Sequence, residues 1–356
     1  MPRPLRRASP PSRADAARPG PRRPDRESTP ISALRALIAG TGGYLPERSF
    51  SNDELAAWKG LETSDAWIIE RTGIRRRHIA AEGETASDMG AQAALAALAQ
   101  AGAEVGDVDA IIVATSTPDS AFPSTAARIQ GKLGVTRGFA FDLAAACTGF
   151  VYALGVADAL VRTGQARGAL VIGTEVYSRI VDWTDRGTCV LFGDGAGAVF
   201  LRGMPQDQAG GRGILSTHLH ADGRHGDILS VDGGAGSNGG TGVVRMTGRE
   251  VFRHAVAKLS SAVDEALAAN NLAQGDIAWL VPHQANLRII EAMGRKLDLP
   301  LDRVVVTVDR HANTSAASIP LALAEATRDG RIRRDELVLM EAIGGGLTWG
   351  AALARF

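Results

Sequence analysis

The sequence predicts an α/β fold made of two similar halves, and three observations carry that prediction. From about Leu34 onward, short β-branched runs alternate with Ala-rich helical stretches, the pattern of a largely parallel sheet. Three pairs of segments echo one another at nearly the same sequence offset. A cysteine and an asparagine then fall at matching strand-to-helix junctions, where open α/β sheets place their ligands.

In chain order, the first 30 residues hold eight Arg, three acids and eight Pro. The prolines oppose the amphipathic helix of a transit peptide, and no continuous apolar run marks a secretory signal. Residues 1–32 therefore read as a disordered Arg/Pro-rich extension. The remaining body carries 31 basic against 36 acidic residues, which argues against a nucleic-acid partner. An apolar share of 45% and a charged share of 22% are those of a soluble globular protein. The richest apolar window, residues 139–161, contains Asp142, Asp158, Gly149 and Gly155, so it fits a buried central helix better than a membrane span. Two cysteines in 356 residues allow no disulfide framework or zinc cluster, and point to the reducing cytoplasm.

The first echo pairs Asp107-Val-Asp-Ala-Ile-Ile-Val with Asp276-Ile-Ala-Trp-Leu-Val, each after an Ala-rich helix, at an offset of 169. Gly168-Ala-Leu-Val-Ile-Gly pairs with Asp335-Glu-Leu-Val-Leu-Met at an offset of 167. Between them, Phe139-Ala-Phe-Asp-Leu-Ala-Ala-Ala-Cys-Thr-Gly-Phe pairs with Val305-Val-Thr-Val-Asp-Arg-His-Ala-Asn-Thr-Ser-Ala, setting Cys147 opposite Asn313 at an offset of 166. The concordance predicts duplicated halves over 33–208, with the nucleophile, and 209–356, with the His and Asn. It also predicts that the Cys147 and Asn313 junctions approach one another.

Cys147 follows a strand and precedes the helical stretch 149–161, so the helix dipole and free N–H groups are expected to favour its thiolate. Cys189, within Thr188-Cys-Val-Leu-Phe, has no helix start nearby and reads as an inert buried thiol. His283 stands in Val281-Pro-His-Gln-Ala-Asn, where Pro282 ends a strand and presents the imidazole at its terminus. A thiol with a His and an Asn supplies one nucleophile and two hydrogen-bond donors, a set suited to negative charge on a thioester oxygen. His218, His220, His225 and His254 read as structural. Gly344-Gly-Gly would let backbone amides approach a ligand, as an oxyanion hole needs. Two glycine patterns are decoys for phosphate binding: Gly234-Ala-Gly-Ser-Asn-Gly runs into a strand-like segment, and Gly40-Thr-Gly-Gly runs into Pro46, whereas the dinucleotide fingerprint must open a helix.

Over residues 37–356 the chain resembles the bacterial β-ketoacyl-acyl-carrier-protein synthases III, condensing enzymes of the thiolase superfamily. The carriers are Ala144-Ala-Ala-Cys-Thr-Gly-Phe, Val281-Pro-His-Gln-Ala-Asn-Leu-Arg-Ile-Ile, His311-Ala-Asn-Thr-Ser-Ala-Ala-Ser and Gly344-Gly-Gly-Leu-Thr-Trp-Gly, with Thr63-Ser-Asp-Ala-Trp-Ile and Asp185-Arg-Gly-Thr beside them. The resemblance implies a thiolase-like five-layered αβαβα fold, a homodimer and a catalytic triad of Cys147, His283 and Asn313. Its oxyanion hole would be the backbone N–H groups of Cys147 and Gly345. Coenzyme A would be held by Trp67, Arg71 and Arg186, and Arg253, Gln284 and Arg288 would form the rim that receives the pantetheine arm and the acyl carrier protein. Phe122 would cross the dimer interface to floor the partner's acyl pocket, beside Ile343. The implied reaction joins an acyl-CoA primer, acetyl-CoA by default, to malonyl-acyl-carrier protein to start fatty-acid synthesis, with no metal, no bound cofactor and no membrane.

The chain departs from the family's usual residues at Ile343 and Leu347, where Phe is common, and at Thr148, where Ala or Ser is common. The resemblance places these in the acyl pocket or its neighbourhood, so primer length is the property they leave open. Residues 232–242 are also unusually glycine-rich. The nearest alternative is a starter-unit condensing enzyme or acyltransferase of a polyketide- or quinolone-type pathway. A degradative thiolase would need a second catalytic cysteine near the C-terminal glycines, and an inactive scaffold subunit would lack the triad.

Overall fold

A computed structural model describes residues 33–234, 236–237 and 240–356. The expected extension over 1–32 lies outside the described residues, as does half of the Gly234-to-Gly239 decoy. Two sheets contain the strands numbered here. The first holds β1 (Leu34–Tyr44), β2 (Ala110–Ala114), β3 (Phe139–Leu143), β4 (Gly168–Val176) and β5 (Asp194–Pro205), in the spatial order β1-β5-β4-β2-β3. The second holds β6 (Gly213–Ala221), β7 (Trp279–Pro282), β8 (Leu337–Gly344) and β9 (Thr348–Arg355), in the order β6-β9-β8-β7. In each sheet the long strands pair antiparallel, β5 with β1 and β4 or β9 with β6 and β8, while β4 with β2 and β8 with β7 pair in parallel.

The sheets differ at the fifth position. The run beginning Val305, expected to mirror β3, is reduced to one bridge between Val304 and Leu280, with Val305 N–H donating to Leu280 at 2.9 Å. The cause is Gln284, which is wholly buried. Its side-chain oxygen accepts from the N–H groups of Thr307 and Val308 at 2.8 and 3.0 Å, and its amide donates to the carbonyls of Pro282 and Val305 at 2.8 and 3.0 Å. A side chain thus replaces the ladder.

Side-chain alternation along the strands builds three cores. Ala110, Ile112 and Ala114 of β2 face a central core, together with Val338, Met340 and Ala342 of β8. Ile111 and Val113 face an outer core under α1 (Ala86–Gln100). The central core is filled by α2 (Gly149–Arg162) and by α5 (Ser318–Arg328), which lie between the sheets. On the far side, α3 (Gly248–Ala269) and α4 (Leu287–Lys296) cover Leu337, Leu339 and Ile343 of β8. Helix, sheet, helices, sheet and helix make the five layers. Being enclosed on both faces, α2 is apolar around most of its girdle, and its buried Asp158 is matched by Arg162 one turn on, at 2.9 Å. Truncating a residue such as Leu154 there costs about 2–5 kcal/mol.

No helix among the described residues is long and apolar enough to cross a membrane. The Gly40 decoy resolves into packing: a Cβ at Gly40 or Gly42 would stand 2.2 Å from a carbonyl oxygen of α1, so these glycines let β1 lie directly on that helix. The glycine-rich segment leads to the strand Val244–Met246 and opens no helix.

Candidate active site

Cys147 is placed by the short loop after β3. It sits in the 3-10 turn Ala146–Thr148 immediately before α2, and Ala146 adopts a left-handed φ of 46°, a conformation an alanine holds only when its surroundings enforce it. The enforcement is a clasp to β9. Thr148 Oγ1 donates to the Thr348 carbonyl at 2.9 Å, and Thr348 Oγ1 donates to the Ala145 carbonyl at 2.9 Å. Thr148 therefore acts on the nucleophile's turn, and it is not among the residues that line the cavity described below. At the end of β8, a Cβ on Gly344 would lie 2.6 Å from the Cys147 nitrogen, so the glycine run passes directly against the nucleophile's backbone.

His283 extends β7 by one residue, its N–H donating to the Glu341 carbonyl at 2.8 Å. Its Nδ1 meets Ser318 Oγ, at the start of α5, at 2.7 Å. The Gln284 N–H donates to the same hydroxyl at 3.3 Å. We assign the serine proton to Nδ1, which leaves the ring proton on Nε2, the nitrogen left for the cavity. Burial pushes the His283 pKa down to about 3, so the ring is a neutral donor and not an imidazolium.

Asn313 is held against the segment that precedes β5. It bridges Phe192, its N–H donates to the Leu191 carbonyl at 2.9 Å, and its carbonyl accepts from Gly193 at 3.1 Å. Its Oδ1 accepts from the Ser315 N–H at 2.8 Å, so the side-chain NH2 is the free end. Asn313 is flanked by left-handed backbone at Ala312 (φ 59°) and Ser315 (φ 49°).

Cys147, His283, Asn313, Ile343 and Gly345 line one cavity of about 670 Å³, with Arg71, Arg249 and Arg288 also in its wall. Among the described residues no group of three or more His, Cys, Asp or Glu could hold a metal ion. Burial pushes the Cys147 thiol up to about 12, with the Ser315 hydroxyl opposing and the Glu175 carboxylate adding to the rise. The helix start is where the sequence put it, but desolvation outweighs its pull, so the residue rests as a thiol. Cys189 has no exposed surface and its thiol is pushed up to about 11, burial again leading. Access separates the two, because only Cys147 lines the cavity. Iodoacetamide is expected to modify Cys147 first and to abolish activity. Peptide mass spectrometry showing faster labelling of Cys189 at neutral pH would overturn this.

The other expected site residues fall in several places. Trp67 and Arg71 share one face of the helix Asp65–Thr72, and the Trp67 indole carries two guanidiniums, Arg71 at 4.5 Å and Arg186 at 4.6 Å. Arg186 is tied back to the Glu62 carbonyl at 2.8 Å, and Arg288 to the Glu70 carbonyl at 2.9 Å. Arg253 is exposed on α3 and does not line the cavity; Arg249, one turn earlier and not anticipated, does. Gln284 is not a rim residue, since its amide is consumed inside the fold. Leu347 is fully buried in the core beneath α3 and α4, and of the two only Ile343 lines the cavity. Phe122 is 85% exposed and does not line the cavity of its own chain.

Family models for 3-oxoacyl-[acyl-carrier-protein (ACP)] synthase III match residues 141–223, and for its C-terminal part residues 267–356. The protein of Acidiphilium cryptum named beta-ketoacyl-[acyl-carrier-protein] synthase III is 67% identical over 323 residues, covering 90% of this chain and 99% of that one. The chain belongs to this family. It is thus a condensing acyltransferase with the thiolase-type fold that its sequence resembles. The family protein of Granulibacter bethesdensis is 64% identical over 90% of this chain and 99% of its own. Among solved structures, 3-oxoacyl-[acyl-carrier-protein] synthase III from Aquifex aeolicus superposes with a TM-score of 0.84 at 44% identity, covering 91% of this chain and all of that one. The priming β-ketosynthase of the R1128 polyketide pathway also reaches 0.84, at 36% identity, over 92% of this chain and 98% of its own.

Proposed function

We propose that the chain joins an acyl-CoA primer, acetyl-CoA by default, to malonyl-acyl-carrier protein by decarboxylative Claisen condensation, starting fatty-acid synthesis as a cytoplasmic homodimer. The observation that carries this reading is the convergence of a thiol and two oriented N–H donors, His283 Nε2 and the Asn313 amide, on one arginine-edged cavity. Cys147 attacks the primer thioester, the amides of Cys147 and Gly345 hold the oxyanion, and CoA leaves. Malonyl-carrier protein then enters, and loss of carbon dioxide places negative charge on its thioester oxygen. His283 and Asn313 stabilise that charge, each donor contributing about 3–4 kcal/mol. The carbanion attacks the acyl-cysteine and releases the β-ketoacyl product, with no metal or bound cofactor in the scheme. Trp67, Arg71 and Arg186 serve coenzyme A, while Arg253 and Arg288 receive the carrier protein. The bare Phe122 ring suits a partner subunit's acyl pocket, since so exposed an aromatic gains most from being covered. Intact-protein mass spectrometry after incubation with acyl-CoA thioesters tests the reading, because an acyl adduct must appear on Cys147 and on no other residue.

Primer choice is expected to follow Ile343. Ile in place of an aromatic ring leaves room in the cavity, so butyryl-, isobutyryl- and octanoyl-CoA are expected to be used alongside acetyl-CoA. Ile343→Phe is expected to lower kcat/KM for octanoyl-CoA by roughly tenfold while leaving acetyl-CoA nearly unchanged. A preference for acetyl-CoA that the substitution does not move would show that position 343 is not the determinant.

A further inference from the structure

Asn313 serves as a donor only while its side chain is held at one rotation, and the residue before it resists that. Ala312 adopts φ 59° and ψ −162°, a region that glycine enters freely and a Cβ makes costly. Such a backbone persists only where both of its flanks are fixed. The flank after it is the backbone of Asn313, held by Leu191 and Gly193 at 2.9 and 3.1 Å. The flank before it is the single helical turn Val308–His311.

Gln284 grips the start of that turn through the Thr307 and Val308 N–H groups, and Glu325 of α5 grips its end. Glu325 Oε1 accepts from Arg310 Nη2 and Oε2 from Arg310 Nε at 3.3 Å, so carboxylate and guanidinium meet as two forks. Arg331 Nη2 donates to the same Oε1 at 3.2 Å. Arg310 is in turn tied to its own segment, Nη2 donating to the Val306 carbonyl at 3.2 Å and Nη1 to Asp309 at 2.8 Å. His311 Nε2 lies 3.6 Å from Glu325 Oε2, but burial pushes its pKa down to about 4, so the charge pairing rests on the arginines. Glu325 stands seven residues after Ser318 on α5, and two turns bring both to one face of the helix. Ser318 holds the His283 ring. The same helix face therefore steadies the elements that carry both donors.

We propose that Glu325 is a positioning residue: through Arg310 it holds the turn Val308–His311 so that Ala312 keeps its unfavourable backbone and the Asn313 amide stays aimed into the cavity. Without the fork, the strain at Ala312 is released by rotation about the 312–313 peptide, and the amide moves off the malonyl thioester. Cys147 belongs to a different loop, secured by Thr148 and Thr348, and keeps its place. The inference rests on the reading that Asn313 stabilises charge on the malonyl thioester.

The test compares Glu325→Gln and Arg310→Gln in the full chain, each alone and combined with Ala312→Gly, with thermal melts to confirm folding. Acyl uptake on Cys147, carbon dioxide release from malonyl-carrier protein, and hydrogen exchange over residues 306–315 by mass spectrometry are measured on each. Glu325→Gln is expected to be acylated at nearly the wild-type rate, to release carbon dioxide roughly ten- to a hundredfold more slowly, and to exchange about tenfold faster over that segment. Adding Ala312→Gly is expected to restore most of the carbon dioxide release and to slow the exchange, because glycine holds the same backbone without the fork. A fork that only stabilises the fold would lower acylation and decarboxylation in step. That outcome, unchanged exchange over 306–315, or a loss that the glycine does not rescue overturns the proposal. Arg310→Gln breaks the fork from its other end and decides alone if Glu325→Gln does not fold. Asn313→Ala is run beside them. Rapid carbon dioxide release by that variant refutes Asn313 as the donor, while exchange that follows the expected pattern leaves the positioning role of Glu325 standing.

Discussion

Asn313→Ala is expected to take up an acyl group at Cys147 yet to lose malonyl decarboxylation by roughly a hundred- to a thousandfold. In the proposed scheme the first half-reaction draws on Cys147 and backbone amides, whereas the second needs a donor where the malonyl thioester gains charge. Asn313 offers that donor because its Oδ1 is committed to Ser315, which turns the NH2 outward. Alanine removes the donor but also the Oδ1 contact. Asn313→Asp is therefore the informative companion, since it keeps the acceptor and removes the donor. Release of carbon dioxide from malonyl thioester, followed beside acyl-enzyme formation by mass spectrometry, separates the two halves. Rapid decarboxylation by either variant would remove Asn313 from its assigned role.

Gly344→Ala is expected to damage both half-reactions. The added Cβ would meet the Cys147 nitrogen at 2.6 Å and the Thr148 nitrogen at 3.1 Å. These are backbone atoms in a turn already held by two threonine hydroxyls, so they cannot swing aside as a flexible side chain could. The turn must shift, carrying the Cys147 sulfur and N–H with it; in the proposed scheme these are the nucleophile and an oxyanion donor, and misplacement of about 1 Å costs about a hundredfold in rate. Acylation and overall kcat/KM should fall together, unlike in Asn313→Ala. A folded Gly344→Ala protein acylated at nearly the wild-type rate would show that the turn tolerates displacement.

Much of this was legible in the sequence, and what was not has physical causes. Asp107-Val-Asp-Ala-Ile-Ile-Val and Gly168-Ala-Leu-Val-Ile-Gly could be read as strands because enclosed parallel strands are apolar on both faces. The Val305 run looked the same but lost its ladder to the Gln284 amide, a tertiary contact that no local pattern encodes. Gln284 itself was misplaced because it adjoins His283. Successive residues leaving a strand face opposite ways, so one motif sent a ring to the cavity and an amide to the interior. Cys147 and His283 stood out because each follows a strand, and all three, Asn313 included, stand within distinctive motifs. Ser318 and Arg249 did not, since a serine in an Ala-rich motif and an arginine on an amphipathic helix carry no chemical mark until folding sets one against His283 and the other in the cavity wall. The acidity of the thiol was misjudged for a related reason: sequence reveals the helix start but not how thoroughly water is removed.

The clasp between Thr148 and Thr348 also bears on how the protein is made. Its two members are 200 residues apart, and β8 and β9, which bring the glycines and Thr348, are the last strands in chain order. During vectorial synthesis at about 5–20 residues per second, the cysteine emerges many seconds before the segments that fix its turn and complete its surroundings. A nascent or truncated chain therefore exposes a thiol with ordinary, undirected reactivity. Competence therefore waits on the β8–β9 hairpin, made long after the cysteine whose turn it secures.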